Sequence, residues 1–176
     1  MAIGLRNGSR GPLCLRFPCT SCLAPVCQIA CKELCQIILK VTDCGWTNGA
    51  ATGIHVFAQA FAPEVSAIIV DNDVTMSAPE DTVFGAASAG IQVRGFAQGN
   101  SVLNNRIRGR ARAALAVNNL NAGIPGNNSL VANDLDGFQS SLADIFVDAG
   151  VTNTAVIGRQ ARVEDHGIGT VVVPMP

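Results

Sequence analysis

Six residues of this chain combine charged, amide or aromatic groups at equivalent positions of a recurring segment, and they are the candidates for chemistry. An imidazole can transfer a proton, a guanidinium can bind a carboxylate, and a carboxylate can act as an acid or ligate a metal. No HExxH, glycine-rich phosphate loop or G-x-S-x-G motif accompanies them. The candidates are His55, Gln92, Arg94, Asn118, Phe146 and Asp148.

A short strand motif positions these six residues. It recurs as GIHV, GIQV, ALAV and DIFV, beginning at Gly53, Gly90, Ala114 and Asp144. Alternation within GIQV predicts a strand with Ile91 and Val93 inward and Gln92 and Arg94 outward. Stacking the four segments places the six candidates on one side, which we call the first-strand face. Four strands span about three spacings of 4.8 Å, or about 14 Å, the length of roughly three sugar units.

A second and longer repeat defines the fold. Residues 100–109 (NSVLNNRIRG) return as residues 128–137 (NSLVANDLDG), 28 residues later. A recurring apolar and polar pattern at such a period indicates a solenoid. Each unit carries three short strands, for example Ile91–Arg94, Ser101–Leu103 and Arg106–Arg108. Since no unit can bury its apolar side alone, the units must stack in parallel, giving an all-β parallel β-helix of about five coils.

The pattern G-I-x-V followed by N-S-V-x-x-N-x-I-x-G resembles the right-handed parallel β-helix repeat of the pectate-lyase-like superfamily. The resemblance covers roughly Gln36 to Val173. It implies a ladder of stacked asparagines at Asn72, Asn105 and Asn133, from which Leu39 and Gly158 depart. It also implies an amphipathic helix that caps the N-terminal end, and a polysaccharide groove along the first-strand face.

Residues 1–35 differ in composition from the rest. They contain six of the seven cysteines, at positions 14, 19, 22, 27, 31 and 35. Apolar residues between Ala24 and Ile38 lie near helical spacing, so we predict the capping helix there. Cys19 and Cys22 form a C-x-x-C without a second pair, and Cys27, Cys31 and Cys35 form one stripe, which favours buried packing over a metal site. We therefore divide the chain into a Cys-rich segment 1–35 and a β-helix domain 36–176.

Charge and hydropathy restrict the partners. With 12 basic and 13 acidic residues the chain offers no electrostatic case for nucleic acid. No apolar run is long enough to span a membrane, and the N-terminus lacks the uninterrupted core of a signal peptide. The family resembled is usually secreted, whereas clustered cysteines outside a disulfide framework favour a reducing context. The compartment therefore stays open.

Two classes of function remain. The first is carbohydrate binding, or processing of acidic polysaccharide, along the first-strand face. The second is a structural or vestigial solenoid, a fragment of a larger β-helix protein without catalytic activity. A lyase or glycoside hydrolase would need motifs that the sequence does not show: Asp148 is the single carboxylate on the face, whereas a glycosidase needs two. Resemblance alone suggests calcium, since no aspartate cluster is visible, and no other cofactor is expected.

The arginine-rich strand Arg106–Arg112 is the other candidate for ligand binding. Stacking places Arg106 between Asp73 and Asp134, and places Arg108 between Thr75 and Asp136. Alternating charges on adjacent strands stabilise a sheet by roughly 0.2–1 kcal/mol per pair. We therefore predict a structural charge ladder here rather than an anion site.

Overall fold

The computed structural model describes residues 52–58, 67–77, 88–119, 123–159 and 161–175, and the backbone of strands in 2–4, 14–19, 26–30 and 35–44. These residues form strands only, with no helix among them, which confirms the all-β class. The strands are β1 (Ala2–Gly4), β2 (Cys14–Cys19), β3 (Val26–Ala30), β4 (Cys35–Cys44), β5 (Thr52–Ala58), β6 (Ala67–Val70), β7 (Asp73–Ser77), β8 (Ala89–Gly95), β9 (Ser101–Leu103), β10 (Arg106–Ala111), β11 (Ala113–Asn118), β12 (Ser129–Val131), β13 (Gln139–Ser140), β14 (Ile145–Val147), β15 (Ala155–Gly158), β16 (Val163–Asp165) and β17 (Val171–Pro174).

Parallel pairing stacks these strands into two sheets. The first sheet has seven strands in the order β1-β3-β5-β8-β11-β14-β16. The second has ten, arranged as two stacks that share β4: β6-β9-β12-β15-β17 on one side and β7-β10-β13 on the other, with β2 also paired to β4. A coil is one strand of the first sheet with the strands of the second sheet that follow it. Seven stacked coils, against the predicted five or so, are compatible with a solenoid.

The predicted register is confirmed in the central coils. β9 spans the predicted Ser101–Leu103, and Lys40, Asp73 and Arg106 are partners on neighbouring strands. The departure from the asparagine ladder lies at a different residue than predicted, however. Val131 pairs with Ile157, so Arg159 and not Gly158 follows Asn133 in that column.

The N-terminal prediction needs a correction. A capping helix was predicted over Ala24–Ile38, but the structure has strands β3 and β4 in this region. β3 pairs with β5 and β4 with β6, so both segments are extended and parallel to later strands. The β-branched residues of these segments fit a pleated sheet better than a helix. The cysteine side chains and the remaining residues of 1–35 lie outside the described part, and the division at residue 35 stays a prediction.

The core lies between the two sheets. Ile54, Ile91, Leu115 and Ile145 form one inward column of the first sheet, and Val56, Val93, Val117 and Val147 form the next. The second sheet contributes the column Ile69, Val102, Leu130 and Val156. All of these side chains are buried. Each stabilises the fold by about 1.5–3 kcal/mol relative to an exposed position, so the alternating pattern fixes which side of each strand faces inward.

Two ladders of asparagines, all buried except the half-buried Asn133, hold successive coils together. Asn72 Nδ2 donates to Asn105 Oδ1 at 2.7 Å, and Asn105 Nδ2 donates to Asn133 Oδ1 at 2.9 Å. A second ladder, which the sequence repeat contained but we did not assign, joins Asn100 Nδ2 to Asn128 Oδ1 at 2.8 Å. Each acceptor oxygen also receives the backbone N–H of the preceding coil's asparagine. The buried amides are thereby paired with each other across the coils.

The residue before each ladder position turns the chain with a left-handed backbone. Asp71, Asn104 and Ala132 have φ of 56°, 52° and 53° and precede the first ladder. Asn127 and Asn153, with φ of 53° and 50°, occupy the equivalent turn before Asn128 and Thr154. Asparagine and aspartate tolerate this conformation better than other non-glycine residues. The recurrence of Asn in the sequence therefore reflects both the turns and the ladders.

The second ladder stops at Thr154, and this predicts a stabilising substitution. Asn128 Nδ2 and Thr154 Oγ1 are both buried without a hydrogen-bond partner. Thr154→Asn supplies an acceptor for Asn128 Nδ2 at the position where the earlier repeats have asparagine. We expect the free energy of unfolding in urea to rise by about 1 kcal/mol. Thr152→Asn, at a half-buried position two residues earlier, is the control and should leave stability nearly unchanged; a lower midpoint for Thr154→Asn would contradict the ladder's extension.

Candidate functional site

The register brings the predicted site residues onto one side of the first sheet. His55 pairs with Gln92, Gln92 with Ala116, and Ala116 with Phe146. Arg94 pairs with Asn118 in the neighbouring column, and Asp148 directly follows β14. Because Ile91, Val93, Leu115 and Val117 face the core, these alternating residues belong to the opposite face of their strands.

The first-strand face is less accessible than its outward direction suggests. Gln92, His55 and Asn118 are only 1%, 7% and 8% exposed, whereas Arg94, Phe146 and Asp148 are half-buried. Ala89, Ala113 and Ala116 form a separate buried apolar cluster, against which Phe146 packs. The sequence prediction equates an outward orientation with exposure to solvent. For His55, Gln92 and Asn118 that assumption is corrected by the structure.

Burial controls the electrostatics at the N-terminal part of this face. Desolvation, together with a smaller contribution from the nearby Arg94 cation, lowers the pKa of His55 from 6.5 to about 4. Burial also lowers the pKa of Arg94. Thr52 Oγ1 donates to Gln92 Oε1 at 3.4 Å, so the predicted sugar-contacting amide is engaged inside the protein. A neutral imidazole beside a guanidinium is poorly suited to transfer protons as an acid at neutral pH.

The low pKa of His55 predicts a loss of stability in mild acid. The unfolded chain binds a proton at His55 near pH 6.5, and the native protein does so only near pH 4, so the stabilisation is complete above pH 6.5 and is lost as the pH falls toward 4. Between pH 7 and pH 4.5 we expect the free energy of unfolding to fall by about 2.5 kcal/mol from this group. Urea titrations at several pH values measure it. His55→Gln should flatten this part of the pH dependence, and an equal slope in both proteins would contradict the assignment.

The C-terminal part of the face is open to solvent and includes two residues that the sequence prediction missed. Glu164 pairs with Phe146 across β14 and β16, and His166 follows on the same face. The rings of Phe146 and His166 meet edge to face with centroids 6.0 Å apart, and His166 Nε2 lies 3.1 Å from Glu164 Oε1. Continuation of the strand motif into residues 163–165 is the signal that would have identified Glu164.

This open region combines an aromatic ring with hydrogen-bonding groups. Phe146 offers a half-exposed apolar face, bordered by the carboxylates of Asp148 and Glu164 and by the His166 imidazole. We define these four residues as the terminal cluster. One strand spacing and two residues separate Asp148 from Glu164, which corresponds to roughly 8 Å between Cα atoms.

The arginine-rich strand lies in the predicted register between acidic neighbours, but its side-chain ion pair differs from the predicted one, because Arg108 pairs with Asp134 and not with Asp136. In the backbone register, Arg106 lies beside Asp73 of the preceding coil and beside Asp134 of the following coil. Arg108 contacts the Asp134 carboxylate through Nη2 and donates from Nη1 to the Asp134 carbonyl at 3.0 Å. The side-chain hydrogen bond from Arg108 lowers the pKa of Asp134. Arg108 is thus engaged within the protein.

Two further findings restrict the chemistry in the part of the chain that the structure describes. No group of three or more His, Cys, Asp or Glu side chains is arranged to hold a metal ion there. No helix in the same residues has the length and hydropathy to cross a membrane.

Comparisons with known proteins add no assignment. No protein-family model matches the chain, and neither curated proteins nor solved structures give a significant match. The fold and the face described above therefore define the protein as an all-β chain of stacked parallel strands with buried asparagine ladders.

Proposed function

We propose that the chain is a right-handed parallel β-helix of the pectate-lyase-like type that binds carbohydrate through the terminal cluster. The observation that carries the proposal is the half-exposed Phe146 ring set between hydrogen-bonding side chains on a flat strand face. Sugar rings stack on aromatic faces while their hydroxyls donate to carboxylates and imidazoles. The site is thus shorter than the six-residue groove predicted from sequence.

The charges of this cluster favour a neutral sugar over an acidic one. Asp148 and Glu164 both border Phe146, and a uronate carboxylate placed there would meet two like charges. Arg94, the residue predicted to bind a uronate, lies on β8, two coils away from β14 and three from β16, and is half-buried. We therefore expect neutral oligosaccharides to bind more tightly than oligogalacturonides.

The test is a titration with neutral oligosaccharides and with oligogalacturonides, followed by backbone amide shifts, with and without calcium. Shifts should cluster at residues 146–148 and 164–167. Phe146→Ala should weaken binding about tenfold, corresponding to about 1.4 kcal/mol, because the stacking surface is lost. Asp136→Asn, which removes a carboxylate in the turn between β12 and β13, is the matched control and should bind normally. Shifts confined to Asp73, Arg106, Arg108 and Asp134, or none at all, would exclude the terminal cluster.

Processing of polysaccharide is the stronger form of this proposal. Asp148 and Glu164 would act as the carboxylate pair, one as acid and the other as base or nucleophile. The register that brings both carboxylates to the Phe146 ring supports this assignment, although the Glu164 carboxylate also contacts His166 Nε2 at 3.1 Å. Release of reducing ends from a bound oligosaccharide, lost in both Asp148→Asn and Glu164→Gln, would separate an enzyme from a binding protein.

A structural solenoid is the second candidate. The burial of His55, Gln92 and Asn118 favours it, because half of the predicted contact residues serve the protein's own packing. In that case the sugar titration gives no saturable shifts, and all stacked polar side chains act between coils.

A further inference from the structure

A cavity of about 360 Å³ lies between the two sheets in the last three coils. Its walls come from inward columns of both sheets: Ile145 and Val163 on one side, and Leu130, Val156 and Val172 on the other. At about 30 Å³ for each water-sized group, this volume holds roughly a dozen such groups. It is therefore of the size of small-molecule sites, which begin at about 300 Å³.

The cavity exists because one stack of the second sheet, β7-β10-β13, does not continue into the last two coils of the described residues. In earlier coils the wall that follows the first ladder is formed by Val74 and Ile107, which are fully buried, and in the next coil by Leu135. Beyond β13 the described residues contain no further strand in that stack. The chain passes instead through Gly158, Arg159 and Ala161, which supply no large aliphatic side chain to fill the space.

The exposures of the lining residues agree with this gap. Ile54, Ile91 and Leu115 are exposed by at most 1%, whereas Val156 and Ile145 reach 5% and 6%. Val163 and Leu135 are only half-buried, although both pack against the core. An apolar wall is thus reachable from outside at this end.

One cation stands at the opening. Arg159 lines the cavity, but its side chain is 77% exposed, and its Nη1 lies 3.3 Å from Asp136 Oδ2. Such an exposed ion pair is weak and is easily exchanged for another carboxylate. Two polar side chains line the cavity. Arg159 is a cation at its edge, and the Asn133 amide is already bonded to Asn105 and to the Val102 carbonyl.

We propose that this cavity binds an aliphatic carboxylate of medium chain length, with the chain between the sheets and the carboxylate on Arg159. The walls match a methylene chain, the volume corresponds to roughly ten to twelve carbons, and the guanidinium complements a single negative charge at one end. This site is separate from the terminal cluster, which lies on the outer side of the first sheet.

The experiment is a decanoate titration of the methyl-labelled full-length chain, observed by NMR. Methyl resonances of Leu130, Ile145, Val156, Val163 and Val172 should shift in a saturable manner, while those of Val74 and Val93 stay fixed. Arg159→Gln should weaken binding roughly fivefold or more, and Asp136→Asn should strengthen it, because the competing carboxylate is removed. Arg162→Gln, which changes an exposed arginine outside the cavity, should bind as the parent does.

A titration with decanol, which has an alkyl chain but no carboxylate, separates the contribution of the carboxylate from that of the alkyl chain. Decanol should bind the parent protein about as weakly as decanoate binds Arg159→Gln. Equal affinity of decanoate for the parent and Arg159→Gln, or no shift of the cavity methyls, would overturn the proposal. So would methyl shifts that depend on protein concentration alone, because they would show that a second copy of the chain covers this end. None of these outcomes depends on sugar binding, which Asp136→Asn leaves unchanged.

Discussion

Replacing Asn105 with leucine should lower the free energy of unfolding by about 3–5 kcal/mol. The side chain sits in the middle of the first ladder, where Oδ1 accepts from both the backbone N and Nδ2 of Asn72. Its Nδ2 donates to the Ile69 carbonyl and to Asn133 Oδ1. Leucine is similar in size but removes all four contacts, and each buried group left without a partner costs about 1–3 kcal/mol.

Urea unfolding followed by circular dichroism measures this effect, with Asn119→Leu as the matched control. Asn119 is half-buried and makes one side-chain hydrogen bond, at 3.3 Å to the Ala149 carbonyl. Its replacement should change stability by less than about 1 kcal/mol. If both variants unfolded at the same urea concentration, the ladder would not be the main polar contribution to coil stacking.

Gly109→Ala should be at least as damaging, because the site forbids a side chain in two ways. The backbone φ is +88°, a region that costs a non-glycine residue roughly 1–2 kcal/mol. A Cβ atom would also lie 1.9 Å from the Met76 carbonyl oxygen on the neighbouring strand. Relief requires β7 and β10 to separate, so we expect a loss of more than about 4 kcal/mol or failure to fold.

Gly137→Ala distinguishes the two causes. Gly137 is the counterpart of Gly109 in the next repeat and has φ of +76°, but no atom lies within 4 Å of the added carbon. Only the backbone penalty applies there, and a loss of about 1–2 kcal/mol is expected. Thermal melts of both variants measure the difference. Equal melting temperatures would show that the strands around Gly109 adjust freely.

The central coils were predictable because their signal is local. Period-two alternation determined which of Ile91 and Gln92 faces the core, and the repeated asparagines determined the register between Asn105 and Asn133. The N-terminal segment was not predictable in this way, because the apolar spacing of residues 24–38 fits a helix as well as a strand. Only the parallel partner β5, whose residues lie 26 or 27 positions further along the chain, decides in favour of the extended form.

The candidate site was predicted in direction but not in accessibility. Strand alternation correctly placed Gln92, Arg94 and Phe146 on one face, but it carries no information about what packs over that face. Burial of His55 and Gln92 depends on tertiary contacts that a strand pattern does not encode. Glu164 and His166 were missed for a different reason: the last coil diverges from the repeat, so its register became clear only from the pairing of Val163 with Ile145.

The two buried asparagine ladders end before the last two coils, at Asn133 and Asn128, and this divides the cooperativity of unfolding. Coils in a stacked protein interact only with their neighbours, so a weak junction becomes a boundary between folding units. Amides of β14 to β17 are therefore expected to exchange with solvent through a partial opening that leaves β8 to β12 protected. The molecule then behaves as a rigid central stack with a less stable end, and that end contains the terminal cluster and most of the cavity wall. Either ligand would report its binding as slower hydrogen exchange in residues 144–175.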